Sequence, residues 1–417
     1  MSSPNKATLG RSLLNAVLML FFFSSGFILG MISIANFPTI YDSPLLSPMM
    51  LLSLAPSPTQ EPASPSPSPS PSPETPCVLP LLPPSPAPPA SLAPPPTETP
   101  AAAIGLMGFL APSAVMHNMT DEELLWRASM QPKVSRTPYR RVPKVAFLFL
   151  VKGQLPLRPL WEKFFSGHKQ ELYSIYVHCD PPYSAPLPTD SVFYKRMIPS
   201  QKTSWGEANL VEAERRLLAN ALLDWSNERF ALLSESCIPI FDFPTVYAHL
   251  TASNDSFVDC FDNDGARVRY KPALFARHNI TQEQWRKGSQ WFEMDRALAL
   301  EVVSDETYFP AFLASCAGSR GCIIDEHYIP TLVNLLGWRR NANRTLTYMD
   351  WRARTPHPRS HGARDVTEEL FRMMRSAAAN CTYNGAASDI CFVFARKFSP
   401  DSLAPLLELA PKVMGFG

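Results

Sequence analysis

The sequence predicts an α/β domain built on a mainly parallel β-sheet. Three apolar runs of strand length, 144–151, 172–178 and 229–235, alternate with two helical stretches, 160–168 and 206–223. Strands that are covered on both faces read as continuous apolar runs, which is typical of a parallel sheet. Because consecutive parallel strands need a crossover between them, the intervening helices complete the pattern of an α/β fold.

The individual elements follow from their own residues. Pro159 comes directly before the first helical stretch, where the missing N–H costs nothing. The stretch 206–223 is amphipathic and rich in Glu and Leu, which predicts a helix that covers the sheet. A further apolar run over 192–198 predicts one more strand. A domain from residue 142 to residue 417 has room for all of these elements.

The ends of the strands indicate where a ligand would bind. In open α/β sheets, ligands bind at the carboxyl ends of the strands. In this chain those ends carry Lys152, Asp180 and the turn Ser234-Glu235-Ser236. Polar and charged side chains after apolar strands therefore mark this edge of the sheet as a candidate site.

The N-terminal part of the chain predicts a membrane anchor. Residues 12–41 contain no charged side chain, and 13–35 are almost wholly apolar. About 20 such residues cross a bilayer as a helix. Lys6 and Arg11 precede the apolar run, and positive residues stay on the cytoplasmic side. We therefore expect a cytosolic tail (1–11), a transmembrane helix (12–35) and a lumenal remainder, the layout of a single-pass type II membrane protein.

A proline-rich segment follows the predicted anchor. Ser-Pro alternates from residue 64 to residue 73, and Pro-Pro pairs recur between 83 and 96. Proline removes backbone hydrogen-bond donors and favours the extended polyproline II form. Such a segment buries too little apolar surface to fold. The sequence thus predicts a disordered stem and linker over 36–141, followed by a lumenal domain over 142–417.

A lumenal domain would be exposed to glycosylation and to oxidation. The eight cysteines suit an oxidising compartment, and the formal net charge of +1 gives no indication of a nucleic-acid partner. Five N-x-Ser/Thr sequons are candidate glycosylation sites: Asn118, Asn254, Asn279, Asn343 and Asn380. Two local cysteine pairs are candidate disulfides: Cys316 with Cys322, and Cys381 with Cys391.

Three titratable residues stand in a row at Asp325, Glu326 and His327. They lie between two apolar runs, in a segment that reads as a turn entering a helix over 326–336. Aspartate favours the first turn of a helix, which predicts a capping or orienting role for Asp325. A carboxylate in such a loop can act as a general base.

Several short motifs carry a family resemblance over roughly residues 142–399. In order and spacing they resemble glycosyltransferase family 14, the core-2/I-branching β-1,6-N-acetylglucosaminyltransferases, and more narrowly the plant branch of that family with its brittle-culm type proteins. The motifs are Val145-Ala-Phe-Leu-Phe-Leu-Val151, Ser204-Trp205-Gly206, Leu232-Leu-Ser-Glu-Ser-Cys237, Lys287-Gly-Ser-Gln-Trp291, Asp325-Glu-His-Tyr328 and Phe394-Ala-Arg-Lys-Phe398.

The resemblance implies a GT-A-like, Rossmann-type domain in a Golgi membrane protein. It implies an inverting transfer of a sugar, N-acetylglucosamine first, from a UDP-sugar donor to a glycan hydroxyl. The position of the family's catalytic base corresponds to Glu326. The position of the family's lysine that neutralises the diphosphate without a metal ion corresponds to Lys397. A fixed ammonium can take the place of a divalent cation as the charge partner of the leaving group.

The resemblance implies three further contacts with the substrates. A second basic residue upstream of Lys397 falls on Arg375 or Arg372. The family's nucleoside-binding aspartate, at the end of the second strand, falls on Asp180. An aromatic residue on the acceptor side falls near Trp351.

Two other clusters are open to a metal-site interpretation. Asp262-Asn263-Asp264 has the form of the Asp-x-Asp metal motif, yet followed by Gly265 it is also an ordinary turn, which we favour. His357 and His361 have the spacing of a ligand pair on a helix, but the neighbouring prolines argue against a helix there. We interpret the histidine segment as a polar loop.

Two classes of function fit this sequence. The first is an active transferase that acts on cell-wall or glycoprotein glycans. The second is a catalytically silent, membrane-anchored protein that binds glycan or scaffolds other transferases. The presence of both Glu326 and Lys397 favours the active enzyme.

Overall fold

In a computed structural model of the chain, the described residues run from 106 to 417, except 107–109, 111, 113, 135, 182–186, 317–321, 354 and 378–380. The predicted tail and anchor (1–35) and most of the predicted stem lie outside them. Within the described part, no helix is both long enough and apolar enough to span a bilayer.

The strands and helices follow one another in a mixed order. The strands are β1 (Lys144–Val151), β2 (Tyr173–Cys179), β3 (Asn227–Ser234), β4 (Ile238–Pro239), β5 (Glu293–Asp295), β6 (Thr347–Met349), β7 (Cys381–Tyr383), β8 (Ala386–Ser388) and β9 (Phe394–Arg396). The α-helices are α1 (Asp121–Ala128), α2 (Arg158–Phe165), α3 (Ala208–Leu222), α4 (Phe243–Thr251), α5 (Asp264–Arg267), α6 (Pro272–Phe275), α7 (Arg296–Ser304), α8 (Tyr308–Cys316), α9 (Tyr328–Leu335), α10 (Glu368–Ser376) and α11 (Leu403–Leu409). Short 3-10 turns cover Ala276–His278, Ile324–Glu326, Ala363–Asp365 and Pro400–Ser402, and a π-helical turn covers Ala410–Met414.

The main sheet has the strand order β2-β1-β3-β5. Strand β1 pairs in parallel with β2 and β3, so that Leu150 lies opposite both His178 and Ser234. Strand β5 joins the far edge antiparallel to β3. The predicted α/β fold with a mainly parallel sheet is therefore confirmed, and the carboxyl ends of β1, β2 and β3 meet at one edge.

The apolar runs form the strands because both faces of the sheet are covered. Every residue of β1 after Lys144 is buried. On one face, Phe147 contacts the rings of Trp161, Phe164 and Phe165 in α2, mostly edge to face. Such aromatic pairs add about 0.5–1.5 kcal/mol each to the effect of burial. The helix predicted over 160–168 is present as Arg158–Phe165, with Pro159 in its first turn.

Helix α3 covers the sheet and also ties down the chain that precedes it. Arg216 donates two hydrogen bonds to the carboxylate of Asp121 in α1, each 2.6 Å long. Leu124 and Ala128 of α1 are buried. Helix α1, which lies within the predicted stem and linker, therefore packs against α3.

The strand predicted over 192–198 is wrong for most of its length. The segment forms turns, and only Met197 makes an isolated parallel bridge, to Val177 of β2. Lys195 has a φ of 55°, a left-handed conformation that a regular strand does not contain. The local turn therefore overrides the apolar pattern.

A second sheet brings a C-terminal segment into the structure. Its order is β4-β9-β6, with β9 antiparallel to β4 and parallel to β6. Beyond β9, His361 donates its backbone N–H to the carbonyl of Lys397 at 2.8 Å. The residues that follow β9 are thus fixed by main-chain hydrogen bonds.

Candidate active site

Two cations meet one carboxylate at Glu326, the last residue of the turn Ile324–Glu326. Arg269 Nη1 donates to Oε2 at 2.6 Å. Lys287 Nζ lies 3.0 Å from the same oxygen. The backbone N–H of Gly288 donates to the carbonyl of Glu326 at 2.8 Å. The side chain and the main chain of this residue are therefore both held, and both cations contact Oε2 rather than Oε1.

The charge state of Glu326 follows from these partners. Burial acts to raise the pKa of this carboxyl group, but the positive charges of Lys287 and Arg269 outweigh it and the pKa is lowered. Glu326 is therefore ionised at neutral pH. An ionised carboxylate with one oxygen outside its ion pairs can accept a proton from a hydroxyl group.

Asp325 does not cap a helix. Helix α9 starts at Tyr328, and its N-cap residue is His327, without a capping side chain. Asp325 lies within the preceding 3-10 turn and is only 4% exposed. Burial, together with the charge of Glu326, raises the pKa of Asp325 to about 6. The predicted capping role was wrong because the chain forms a 3-10 turn here before the α-helix begins, and the alternative orienting role stays a prediction.

His327 is a packed residue beneath this turn. Its Nδ1 lies 2.8 Å from the carbonyl oxygen of Arg286 and donates to it, and its ring stacks on Trp285 at 4.6 Å. Burial lowers the pKa of His327 to about 4, so the imidazole is neutral. Its contacts give it a structural role.

The predicted donor-binding residues Asp180 and Lys397 are placed by different elements. Asp180 follows β2, and its Oδ1 accepts a hydrogen bond from the backbone N–H of Thr203 at 2.7 Å. Lys397 follows β9 and is half-buried. Burial and the charge of Arg396 lower the pKa of Lys397, whereas the charge of Glu235 acts in the opposite direction. Lys397 is thus close enough to Glu235, at the carboxyl end of β3, for the two charges to interact.

Arg396 is a cation that the sequence analysis missed. Its guanidinium group lies 3.9 Å from the centre of the Trp291 ring. Within the described ranges, neither Arg396 nor Lys397 forms an ion pair with a carboxylate. The end of β9 therefore carries two adjacent cations that form no ion pair within the described residues, with Glu235 as the carboxylate whose charge acts on both, a setting suited to a bound anion.

The upstream arginines are occupied elsewhere. Arg375 donates to the carbonyl oxygens of Ile240 and Val413 and stacks on Phe241 at 4.2 Å. Arg372 pairs with Glu369 on the surface of α10. These contacts use both guanidinium groups to hold α10 and its surroundings. The role of Arg375 as a donor ligand remains a prediction.

One segment, 287–291, connects the two halves of the site. At one end Lys287 contacts Glu326, and at the other Trp291 lies under Arg396. Four residue steps span at most about 14 Å. The carboxylate of Glu326 and the cation Arg396 are therefore contacted by the two ends of one short segment. The sequence could not show this relationship, because the partners come from three distant parts of the chain.

Two tryptophans singled out in the sequence, Trp351 and Trp205, have exposed rings. Trp351 is 47% exposed and follows Asp350, whose carboxylate pairs with Arg352. Trp205, from the Ser204-Trp205-Gly206 motif, is 64% exposed, and its ring lies 5.4 Å from that of His357, edge to face. His361 is buried and packs on Phe398 instead, so the loop interpretation of the histidines fits their separate positions.

The Asp-x-Asp segment is engaged in local structure. Asp262 pairs with Arg267 at 2.8 Å. Asn263 caps the short helix α5, with its side chain accepting from the N–H of Ala266 at 2.9 Å. This arrangement matches the favoured interpretation as a capped turn.

The candidate disulfides and glycosylation sites have the following positions. Disulfides join Cys316 to Cys322 and Cys381 to Cys391, the two pairs named from the sequence. Asn380 lies outside the described residues. The remaining sequon asparagines are exposed: Asn118, Asn254, Asn279 and Asn343.

Comparison with known proteins identifies the family of this chain. The family model of the core-2/I-branching enzymes matches residues 145–375. The chain belongs to the core-2/I-branching enzyme family. A curated relative, Glycosyltransferase BC10 of Oryza sativa subsp. japonica, is 34% identical over 309 residues, which cover 64% of this chain and 76% of that protein. The two findings place the chain in the plant branch of glycosyltransferase family 14.

Proposed function

We propose that this glycosyltransferase is an inverting enzyme that needs no metal ion and uses Glu326 as its base. Its donor would be a UDP-sugar, with N-acetylglucosamine as the first candidate, and its acceptor a glycan hydroxyl. The observation that carries the proposal is the ionised carboxylate of Glu326, whose Oε2 is bound by Arg269 and Lys287. Oε1 takes no hydrogen bond from the described residues and is the oxygen available to the acceptor.

The reaction moves one proton and one electron pair. The acceptor hydroxyl gives its proton to Glu326 Oε1 as its oxygen forms a bond to the anomeric carbon of the donor sugar. The bond from that carbon to the diphosphate oxygen breaks, and its electron pair stays on the diphosphate. Because attack occurs opposite the leaving group, the configuration inverts. Lys397 and Arg396 supply two positive charges for the diphosphate, which supports a reaction without a metal ion.

The substrates would enter from different sides of this centre. The side chain of Asp180, at the end of β2, is the proposed partner of the nucleoside. Trp351 is the proposed aromatic contact of the acceptor, since an exposed indole ring offers a flat apolar face to a sugar ring. Pocket shape would then decide which UDP-sugar is used.

We also propose that the protein works in the Golgi lumen behind a type II anchor at 12–35. The positive residues before the apolar run support this orientation. Exposed sequon asparagines and two disulfides suit an oxidising, glycosylating compartment. Cell-wall or glycoprotein glycans are the acceptors that fit such a location.

Turnover of purified full-length protein tests the proposal. A panel of UDP-sugars would be assayed with and without EDTA, beside the variant Glu326→Gln. We expect one donor to be turned over, EDTA to have no effect, and the variant to lose about 10²–10⁴ in rate while it still binds UDP.

Each alternative has its own outcome. Loss of activity in EDTA and its recovery with Mn²⁺ would overturn metal independence. Asp262 and Asp264 would then be the candidate metal ligands. If the wild type and Glu326→Gln both bind a UDP-sugar and neither transfers it to any glycan acceptor, the silent scaffolding function would be supported instead.

A further inference from the structure

One fully buried carboxyl group has no part in the reaction described above. Glu214 lies in the middle of α3 and exposes none of its surface. Its Oε1 accepts a hydrogen bond from Gln290 Nε2 at 2.9 Å, whereas Oε2 has no hydrogen-bond partner among the described residues. None of the ion pairs in those ranges includes Glu214. An ionised carboxylate without a cation is costly to bury, so this position favours the neutral acid.

Asp325 is a second buried carboxyl group beside the first. Helix α3 packs against the turn Ile324–Glu326 that carries Asp325. Oδ1 of Asp325 is buried and has no hydrogen-bond partner within the described part of the chain. Burial, and then the charge of Asp325, raise the pKa of Glu214 well above its usual range. Glu214 is therefore close enough to the turn for the charge of Asp325 to act on it.

Glu214 also contacts the segment that holds the counter-charge of the base. Gln290, its hydrogen-bond partner, belongs to segment 287–291. In the same segment, Lys287 pairs with the Glu326 carboxylate, and Gly288 donates to the Glu326 carbonyl. Glu214 thus lies next to both parts of the chain that fix Glu326. One is the turn that carries Glu326, and the other is segment 287–291, which binds it.

We propose that Glu214 is a positioning residue that acts as an uncharged carboxylic acid. It accepts from Gln290 through Oε1 and keeps its proton on Oε2, which is then a donor for the unpartnered Oδ1 of Asp325. In this way it ties segment 287–291 to the turn that carries Glu326. The inference rests on the proposed role of Glu326 as the base.

The surroundings of this acid pair contain few other titratable groups. The charge of Glu214 acts on Tyr328 of α9, whose hydroxyl donates to Asp305 at 2.9 Å. On the other side of the turn, Asp325 is influenced by Glu326, Arg269 and Lys287. The positive charges act on Asp325 and Glu326, which leaves Glu214 as the group that retains its proton.

Two substitutions at Glu214 in the full-length protein test the positioning role. Glu214→Ala removes both contacts, and we expect kcat to fall about tenfold or more, with UDP affinity unchanged, because a small displacement of the base slows only the chemical step. Glu214→Gln keeps an acceptor for Gln290 and a donor for Asp325, so it should retain most of kcat. Glu212→Ala, two residues away on the same helix and half-exposed, is the matched control.

The thermal stability of the same variants tests the protonation state without any activity. A folded-state pKa above the unfolded value means that the native protein holds a proton which the unfolded chain releases, so stability falls as pH rises above the ordinary range of a glutamate. Glu214→Gln has no such proton. The melting temperature of Glu214→Gln minus that of the wild type should therefore be more positive at pH 8 than at pH 5.

Defined results would overturn this inference. They are a wild-type kcat in Glu214→Ala, an equal loss of kcat in Glu214→Ala and Glu214→Gln, or a melting-temperature difference between Glu214→Gln and the wild type that is the same at pH 5 and pH 8. A wild-type protein that transfers no sugar from any donor would overturn the proposed function instead. The thermal measurement would still decide whether Glu214 holds its proton.

Discussion

The ammonium group of Lys287 lies 3.0 Å from the carboxylate of Glu326. The residue after it, Gly288, donates its backbone N–H to the carbonyl of Glu326. One short segment therefore sets both the charge and the position of the proposed base. A change in this segment should alter catalysis in a way that depends on which of the two contacts it removes.

Replacement of Lys287 by methionine should change the pH dependence of the reaction. Lys287 lowers the pKa of Glu326, so its loss raises that pKa and moves the acid limb of kcat/KM to higher pH. A lowered carboxyl pKa also stabilises the fold at pH values above the pKa of that group in the unfolded chain. This contribution to stability is lost as pH falls through the folded-state pKa. A pH profile of kcat/KM from pH 4.5 to pH 8 measures the shift.

The control for this experiment is Lys412→Met, which removes an exposed cation paired with Glu408. Its pH profile should match that of the wild type. An unchanged acid limb in Lys287→Met would show that Lys287 does not set the ionisation of the base.

Alanine at position 288 should disturb the base through the main chain. A Cβ at Gly288 would lie 2.2 Å from the carbonyl oxygen of Asp259 and 2.8 Å from Pro330 Cγ. Because one of these atoms belongs to the backbone, the segment must shift, at a cost of about 2 kcal/mol or more in stability. Urea unfolding measures the cost, and kcat should fall in parallel.

Gly153→Ala is the matched control for Gly288→Ala, since a Cβ there meets nothing within 4 Å. It should leave stability within about 0.5 kcal/mol of the wild type. Wild-type stability in Gly288→Ala would mean that the segment yields without strain, which would contradict the close packing of this glycine.

The cations at the end of β9 should bind the diphosphate. Arg396→Met and Lys397→Met should each weaken UDP affinity about tenfold to hundredfold, the effect of losing a charged hydrogen bond of about 1.5–3 kcal/mol. Affinity for uridine, which has no phosphate, should be unchanged. Titration calorimetry of both ligands separates a lost phosphate contact from a damaged fold.

Arg375→Met should behave differently from the two β9 variants. Its guanidinium group holds main-chain carbonyls of Ile240 and Val413, so its loss should lower the melting temperature and leave the UDP affinity of the folded protein unchanged. A weakened UDP affinity in Arg375→Met, with Arg396→Met unaffected, would restore Arg375 as the second cation.

Local sequence patterns were sufficient to predict most strands of the main sheet. The runs that form β1, β2 and β3 are predominantly apolar and almost completely buried, and burial on both faces of the sheet is what selects such residues. The run over 192–198 has the same composition but contains a residue in a left-handed conformation. Turn geometry of this kind depends on neighbouring segments, which a local pattern does not include.

The site was predictable only where its residues are neighbours in the sequence. Glu326 and Lys397 stand in short motifs. Arg269 is separated from Glu326 by 57 positions, and no periodicity connects them. Glu214 looked like an ordinary polar residue of an amphipathic helix. Its burial is determined by the packing of the turn at Ile324–Glu326 against α3, which becomes visible only in three dimensions.

The exposed indole of Trp351 should contribute to acceptor binding and not to donor binding. Nearly half of its surface is open to solvent, and a sugar ring stacked on it would cover apolar area. We expect Trp351→Ala to raise KM for the glycan acceptor about tenfold, equivalent to about 1.4 kcal/mol, and to leave UDP affinity unchanged. Trp126→Ala in α1, where the indole is 69% exposed, is the matched control and should change neither constant. An acceptor KM in Trp351→Ala equal to that of the control would remove Trp351 from the acceptor site, and the exposed ring of Trp205 beside His357 would be the next to test.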